Sequence, residues 1–540
     1  MNLQTNVLYY GDNLDILRHH IPDECVDLIY LDPPFNSNRS YNVLFRERSG
    51  DASDAQLDAF EDTWQWGLQA EQAYSEVVTG THGNTGDLLR AMRQFLGQND
   101  VVAYLTMMAQ RMLELHRILK PNGSIYLHCD STASHYLKLL MDSVFGPRNY
   151  RNEIIWKRTS GHSDSRQGSR HYGRITDTIL FYVKGEENTW NVQYTPYDED
   201  YVARDYRRVD ESGRRYRIDN LQGPGGAAKG NPYYEVMGVS RHWRYSKERM
   251  DELIREGRVV QTRPGAVPQY KRYLDEMPGV PIQNLWADLP LLNNRSREAL
   301  GYPTQKPLAL LERIIGVSSN PGDVVLDPFC GCGTAVHAAE KLGRQWIGID
   351  ITHLAINVMR RRMQDAFPGI DIEVIGEPKD LSGARDLAAQ DKYQFQWWAL
   401  DRIDAQPVAG KKKGMDRGID GVLPYFAGPK EDYRRALVSV KGGEQIGPAM
   451  IRDLKGVLER EGEHIGIFLT LRAPTQEMRT EAATAGFWHS DFWDRSYPRI
   501  QILTVEDVLN GKRPDIPAKQ RAYAEAPLEH ERGEQRGLTL

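Results

Sequence analysis

The chain has 540 residues, 40% hydrophobic and 26% charged, with a formal net charge of −6. That length exceeds what one core supports, so two or three domains are expected. The acidic balance excludes a chain-wide basic field, which leaves any nucleic-acid surface as a local patch. The four cysteines, Cys25, Cys129, Cys330 and Cys332, include one close pair and no His/Cys run at zinc spacing, as suits a reducing interior. Residues Met1 to Asn13 hold neither a charged leader nor a long apolar run, so no signal peptide or membrane span is expected and the chain reads as cytoplasmic.

Taken in order, Asn6 to Tyr10 reads as a short strand followed by Gly11-Asp12-Asn13. Asp12 is placed to cap a helix over Leu14 to His20. Capping explains it, and a cofactor contact is the second reading. The apolar run Val26 to Leu31 reads as a buried parallel strand ending in Asp32-Pro33-Pro34-Phe35. In open α/β sheets the ligand crevice lies outside the carboxyl ends of the strands. The prolines fix φ there and hold the Asp32 carboxylate in advance. An acceptor beside an aromatic ring suits a planar group carrying an amine, such as a base swung out of a duplex.

Residues from about 40 to 100 read as a helical insert or lid. Val101 to Leu119 has helical spacing and stops at Lys120-Pro121-Asn122-Gly123. Ser124 to His128 is a buried strand and Tyr136 to Phe145 an amphipathic helix. Asn152 to Trp156 and Asp177 to Val183 look like an antiparallel edge pair. Alternating strands and helices predict a doubly wound α/β domain.

Between Lys157 and Tyr302 the pattern gives way to arginine, tyrosine, glycine and proline, as in Arg214-Arg215-Tyr216-Arg217 and His242-Trp243-Arg244-Tyr245. Such runs suit phosphate contact and base stacking, although the acidic residues nearly balance them. Order returns with Thr304-Gln305-Lys306-Pro307 opening a helix over Leu308 to Val317. A strand, Asp323 to Leu326, then runs into Asp327-Pro328-Phe329-Cys330-Gly331-Cys332-Gly333-Thr334 and a helix through Leu342. Gly331 and Gly333 leave room for a ligand at the backbone, and the helix offers free amides. Gln345 to Asp350 is a strand closing on an acid about 20 residues on, where a carboxylate would grip ribose hydroxyls. The loop lacks the dinucleotide glycine spacing, and no Gly-Lys-Ser/Thr phosphate loop occurs, so a phosphate-free nucleoside, S-adenosylmethionine, fits best.

These motifs resemble the β class of DNA amino-methyltransferases, in which the catalytic tetrad precedes the cofactor loop. Asp32-Pro33-Pro34-Phe35 is similar to the tetrad, Asp327 to Thr334 to the cofactor loop, Thr304-Gln305-Lys306-Pro307 to the motif before it, and Asp350 to the ribose acid. The resemblance spans about residues 5 to 365. It implies a Rossmann-like methyltransferase fold in permuted motif order, binding S-adenosylmethionine through Asp327, Phe329, Gly331, Gly333, Thr334, Asp350, Lys306 and Asp12. It further implies transfer to a flipped base in double-stranded DNA, adenine N6 when the tetrad begins with aspartate and cytosine N4 as the alternative. Asp32 and the Pro33 carbonyl would accept from the amine, with Pro34 stiffening the turn and Phe35 stacking on the ring. Carbon-5 methylation would need a Pro-Cys nucleophile, which is absent. A homodimer and a cognate restriction endonuclease are the partners implied.

The C-terminal third reads as a second, smaller α/β unit: helix Tyr393 to Leu400 with Trp397 and Trp398 inward, strand Ala436 to Lys441, helix Pro448 to Glu459, strand Ile465 to Leu471 and helix Gln476 to Ala485. Asp420 ahead of a strand ending at Lys441 resembles the Mrr-like branch of the PD-(D/E)XK nucleases. Ser439 stands where that branch has a carboxylate or amide ligand, so no metal site is expected and magnesium would matter only to an active nuclease. A DNA-binding or structural remnant is favoured over a bifunctional methyltransferase-nuclease. The organisation expected is 1–156 and 303–376 as two parts of the methyltransferase domain, 157–302 as target-recognition region, 377–391 as linker, 392–510 as nuclease-like domain and 511–540 as polar tail.

Overall fold

The computed structural model describes residues 3–34, 40–46, 52–61, 66–81, 83–159, 161, 170, 172–292, 296, 298–300, 302, 304–408, 418–428 and 432–517, with the backbone course alone for 40–46 and 52–61. Phe35 and the polar tail from 518 onward lie outside the described residues. Two compact units emerge: residues 192–283, and the remainder on either side of them.

The larger unit is built on a nine-stranded sheet in the order Leu285–Trp286, Tyr150–Lys157, Thr176–Val183, Leu119–Cys129, Val26–Leu31, Val324–Asp327, Gln345–Asp350, Val7–Tyr10, Glu373–Ile375. All neighbours are parallel except Thr176–Val183, which runs against both strands beside it. Its central strands are largely apolar because helices cover both faces. Val26–Leu31 buries nearly every side chain, and its Leu28 and Ile29 pair with Val325 and Leu326. From Val26–Leu31 the chain winds one way across the sheet, and from Val324–Asp327 it winds the other. Those two neighbours therefore flank the topological switch point, where such sheets bind ligands.

Three expectations change. The stretch from about 40 to 100 is not wholly helical: Ser40–Arg46 and Ala52–Glu61 pair as antiparallel strands before helices Leu68–Thr79 and Gly83–Leu96. Residues 377–391 are not a free linker, because Leu381–Gln390 is a helix capped by Asp380 that places Ala384 and Leu387 in a core. The antiparallel pair at 150–157 and 176–183 is flanked by a further short strand, Leu285–Trp286, at the sheet edge. Trp398 is buried as expected, whereas Trp397 is only half-buried.

Residues 406–504 form a five-stranded sheet ordered Gln406–Pro407, Gly421–Gly428, Asp432–Lys441, Gly466–Thr470, Ile500–Thr504. The two-residue period sends Val438, Val440 and Leu469 to one face, against Phe395, Trp398 and Leu387. Leu437 and Phe468 face the other way, against Ile451, Leu454 and Met478. Taken by itself, the 192–283 unit holds a four-stranded antiparallel sheet, a hairpin and the helix Lys247–Arg255 around Trp243, Met250 and Leu253. It is narrower than the region 157–302 marked out by composition. Some of its arginines are engaged internally: Arg214 pairs with Asp275 at 2.8 Å and lies 3.9 Å over the Tyr273 ring, and Arg272 pairs with Asp219 at 2.6 Å. Among the described residues no helix is long and apolar enough to cross a membrane.

Candidate active site

A cavity of about 300 Å³ opens at the switch point. Its wall joins Asp12, Asp32, Pro33 and Pro34 to Lys306, Asp327, Phe329, Gly331, Thr334 and Asp350. Loops almost three hundred positions apart in sequence thus share one space, as the motifs predicted. Gly333 is not part of the wall; it sits at the helix N-terminus with φ +74°, where a side chain would strike Met359. Asp420 and Lys441 belong to the second sheet.

The glycine loop is held by the acid at the end of the neighbouring strand. Gly331, with φ +51°, donates its amide to Asp350 Oδ2 at 2.9 Å, while Oδ1 accepts from the Thr352 amide and hydroxyl, each at 2.9 Å. Asp327 Oδ1 takes the Phe329 amide at 3.0 Å. Burial pushes the Asp327 carboxyl well above the usual range, helped by Asp32 and Asp350, and burial likewise raises Asp350. Asp12 and Asp32 are each paired with a base, Arg111 and Lys306, which leaves Asp327 and Asp350 as the acids whose ionised forms a cationic occupant would stabilise.

Asp32 is divided between two roles. Its Oδ2 is paired with the Lys306 ammonium, while Oδ1 is buried without a hydrogen-bond partner among the described residues. A buried acceptor left unpaired costs about 1–3 kcal/mol, so it marks a place where a donor is expected. Asp12 caps the first helix through the Leu14 amide at 2.7 Å and also takes Arg111 at 2.9 Å. Arg111 reaches Asn13 as well, and Asn13 donates to the Pro328 carbonyl at 2.7 Å, which ties the first loop to the cofactor loop.

Several wall and support residues went unnoticed in the sequence. Arg111 was detectable: it interrupts the buried stripe Met107, Met108, Met112, Leu115 on its helix. Tyr302, buried in the wall beside Gly331, had no such signal. Arg362, also buried, braces the loop from behind through Thr334 Oγ1 at 3.0 Å and the Cys332 carbonyl at 3.3 Å. Burial keeps the Cys330 and Cys332 thiols protonated, which removes them as nucleophiles.

In the second sheet, Asp420 Oδ2 accepts the Val440 amide at 2.7 Å and the Ser439 hydroxyl at 3.3 Å, with Lys441 Nζ at 3.5 Å. This acid is spent on its neighbours. Among the described residues no group of three His, Cys, Asp or Glu side chains could hold a metal ion.

A permuted, doubly wound sheet with an acceptor at one strand end and a glycine loop at the next defines a nucleoside-cofactor group-transfer domain. Residues 26–361 match the family model described as DNA methylase, covering both N6 and N4 enzymes, and the chain belongs to that family. It is 28% identical to the type II methyltransferase M.EcaI of Enterobacter cloacae over 67% of this chain and 69% of that protein. It is 26% identical to the DNA adenine methyltransferase YhdJ of Escherichia coli over 67% and 84%. The solved PvuII DNA methyltransferase, cytosine-N4-specific, aligns at 13% identity over 68% of this chain and 89% of that one, with a TM-score of 0.31. Residues 392–510 match the model of NACHT-associated inactive restriction endonuclease 1.

Proposed function

We propose that this chain methylates the exocyclic N6 amine of an adenine flipped out of double-stranded DNA, as part of a modification or restriction-modification system. The cofactor is S-adenosylmethionine. The observation that carries the reading is the buried Asp32 Oδ1, without a partner among the described residues, in a residue that shares a cavity wall with a glycine loop held by a ribose-type acid.

Bound there, the cofactor supplies an electrophilic methyl on a sulfonium. Asp350, Asp12 and the wall formed by the loop from Asp327 to Thr334 are the groups that would hold it, and the carboxylates offset its positive charge. An aromatic amine is a poor nucleophile because its lone pair is delocalised into the ring. Asp32 Oδ1, with the Pro33 carbonyl, accepts the amine hydrogens and localises that pair for in-line attack. Lys306 anchors the other carboxylate oxygen, so the acceptor is aimed before substrate arrives. Phe35, the last residue of the tetrad, is the one we assign to stacking on the base, by resemblance to the family's motif.

Adenine is favoured by the aspartate that opens the tetrad and by the adenine-specific relative; cytosine N4 would use the same acceptors. We assign residues 192–283 to target recognition. We read 392–510 as a nuclease-like fold without cleavage activity, because Ser439 replaces a ligand and Asp420 is committed to Val440. A homodimer and a cognate endonuclease complete the reading.

The test is tritiated methyl transfer to duplex DNA followed by nucleoside analysis. Methyladenine is expected, and Asp32→Ala should abolish transfer while calorimetric cofactor affinity persists. Methylcytosine would replace the adenine assignment, and wild-type turnover in Asp32→Ala would remove Asp32 from the chemistry. Magnesium-dependent nicking would overturn the reading of the C-terminal domain.

A further inference from the structure

A file of three buried side chains leads away from the cavity. Tyr30, itself part of the cavity wall, has its hydroxyl oxygen 2.9 Å from His128 Nδ1, and His128 Nε2 lies 3.1 Å from Asp177 Oδ2. All three are no more than 2% exposed. They meet because of the one reversed strand. Thr176–Val183 runs antiparallel, which brings its second residue, Asp177, to the same sheet edge where Tyr30 and His128 end their parallel strands. The Trp156 ring closes edge-on over His128 at 5.7 Å, and Arg158 Nε sits 3.1 Å from Asp177 Oδ1.

Charge gives this file a direction. Burial raises the Asp177 carboxyl, while its hydrogen bond to His128 and the neighbouring Arg158 and Lys306 charges lower it, and the Arg158 guanidinium 3.1 Å away keeps it a carboxylate. An ionised carboxylate only accepts, so His128 donates from Nε2. A ring carrying its single hydrogen at Nε2 presents a lone pair at Nδ1, to which Tyr30 donates its hydroxyl hydrogen. Burial, with Asp32, Asp327 and Asp177 nearby, keeps the phenol protonated. Its one hydrogen is therefore committed, and toward the cavity its oxygen can only accept.

We propose that Tyr30 is a further substrate-facing residue of the methyl transfer, a hydrogen-bond acceptor of fixed polarity next to Asp32, and that His128 and Asp177 are positioning residues that set that polarity. The reacting groups, an amine and a sulfonium methyl, present only hydrogens to their surroundings, so a wall that cannot donate suits both. A phenol free to rotate would present a donor part of the time. The inference rests on the assignment of the Asp32 cavity as the place where base and cofactor meet.

Tyr30→Phe removes only the oxygen, and Asp177→Asn keeps the shape but can donate to His128 Nε2, which moves the imidazole hydrogen to Nδ1 and turns the Tyr30 hydroxyl toward the cavity. In the full-length protein labelled with ¹⁵N-histidine, the His128 signal, identified by its loss in His128→Gln, should report an Nε2-protonated ring in the wild type and an Nδ1-protonated ring in Asp177→Asn. Single-turnover methyl transfer should fall at least about ten-fold in each variant with cofactor affinity within two-fold, corresponding to about 1.4 kcal/mol in the barrier. The double variant should be no slower than the worse single. Wild-type turnover in Tyr30→Phe, an Nδ1-protonated ring in the wild type, or additive losses would overturn the proposal. Asp32→Ala run in parallel separates the failures: if it too transfers normally the cavity assignment falls, whereas an inactive Asp32→Ala beside a normal Tyr30→Phe removes Tyr30 alone.

Discussion

Asp350 does two jobs with one carboxylate. It holds the glycine loop through the Gly331 amide and pins its own helix start through Thr352, and both contacts face the cofactor cavity. Asp350→Ala should weaken cofactor binding by about 1–3 kcal/mol, as for loss of a charge-assisted hydrogen bond; unchanged affinity by calorimetry would take Asp350 out of the site. Gly348 shows why the loop can lie so close to the sheet. A Cβ added there would stand 2.8 Å from Cys330 Sγ and 3.1 Å from both Leu8 and Val336. Gly348→Ala should therefore destabilise the methylase part by about 1–3 kcal/mol through overpacking, measured as a lowered Tm, with cofactor restoring part of it. The residues bearing local motifs (Asp32, the glycine loop, Asp350) were legible in the sequence because chain neighbours announce them. Tyr302, Arg362 and the file from Tyr30 to Asp177 were not, because each acts across strands or loops whose adjacency is decided only by the sheet.

At the level of elements, the misread stretches have physical explanations. Ala52–Glu61 holds three alanines with Gln56, Leu57 and Glu61, good helix formers, yet it pairs as a strand with Ser40–Arg46. Alternation in Tyr41-Asn42-Val43 and the Ser49-Gly50-Asp51 turn signal pointed the other way. The supposed linker concealed a helical stripe, Leu381, Ala384, Leu387 and Ala388, behind polar neighbours. In the 192–283 unit, part of the arginine-tyrosine runs serves its own cohesion. Arg258 and Arg214 both bind Glu276, and the Arg258 hydrogen bond is the chief influence holding that carboxyl down at about 2. A depressed acid contributes stability that is present above its ordinary value of 4.5 and lost as pH falls through about 2. Amide exchange of Gln269–Tyr273 should accordingly speed up between those values, and Glu276→Gln should flatten that acid limb; an unaltered profile would show the pairs to be without energetic weight.

Across the whole molecule, the C-terminal domain is fastened to the methylase sheet beside its cofactor edge. Tyr10 and His353 stack at 3.6 Å between ring centres, and Gln394 accepts from the Tyr10 hydroxyl at 3.4 Å and the His353 amide at 3.3 Å. Below them Arg402 joins Glu377 at 3.0 Å to Asp401, which also takes Arg360 at 2.7 Å. Asp401 keeps Arg360, but Arg402→Ala leaves the nearly inaccessible Glu377 without its arginine and should cost about 3 kcal/mol. Calorimetry should then resolve two transitions where the wild type shows one; a single unshifted peak would contradict a mechanical link here. The sequence revealed both α/β halves from their alternating pattern, but it gave no hint of this seam, whose members lie in four separate segments. The sheet order carries a consequence for biosynthesis. Val7 pairs with Ile347, 340 positions later, so at about 5–20 residues per second the first strand emerges from the ribosome some 20–70 seconds before its neighbour exists. Nascent chains of this enzyme should present an unzipped apolar segment to chaperones for that interval, and stalling translation before residue 345 should leave Val7–Tyr10 open to protease.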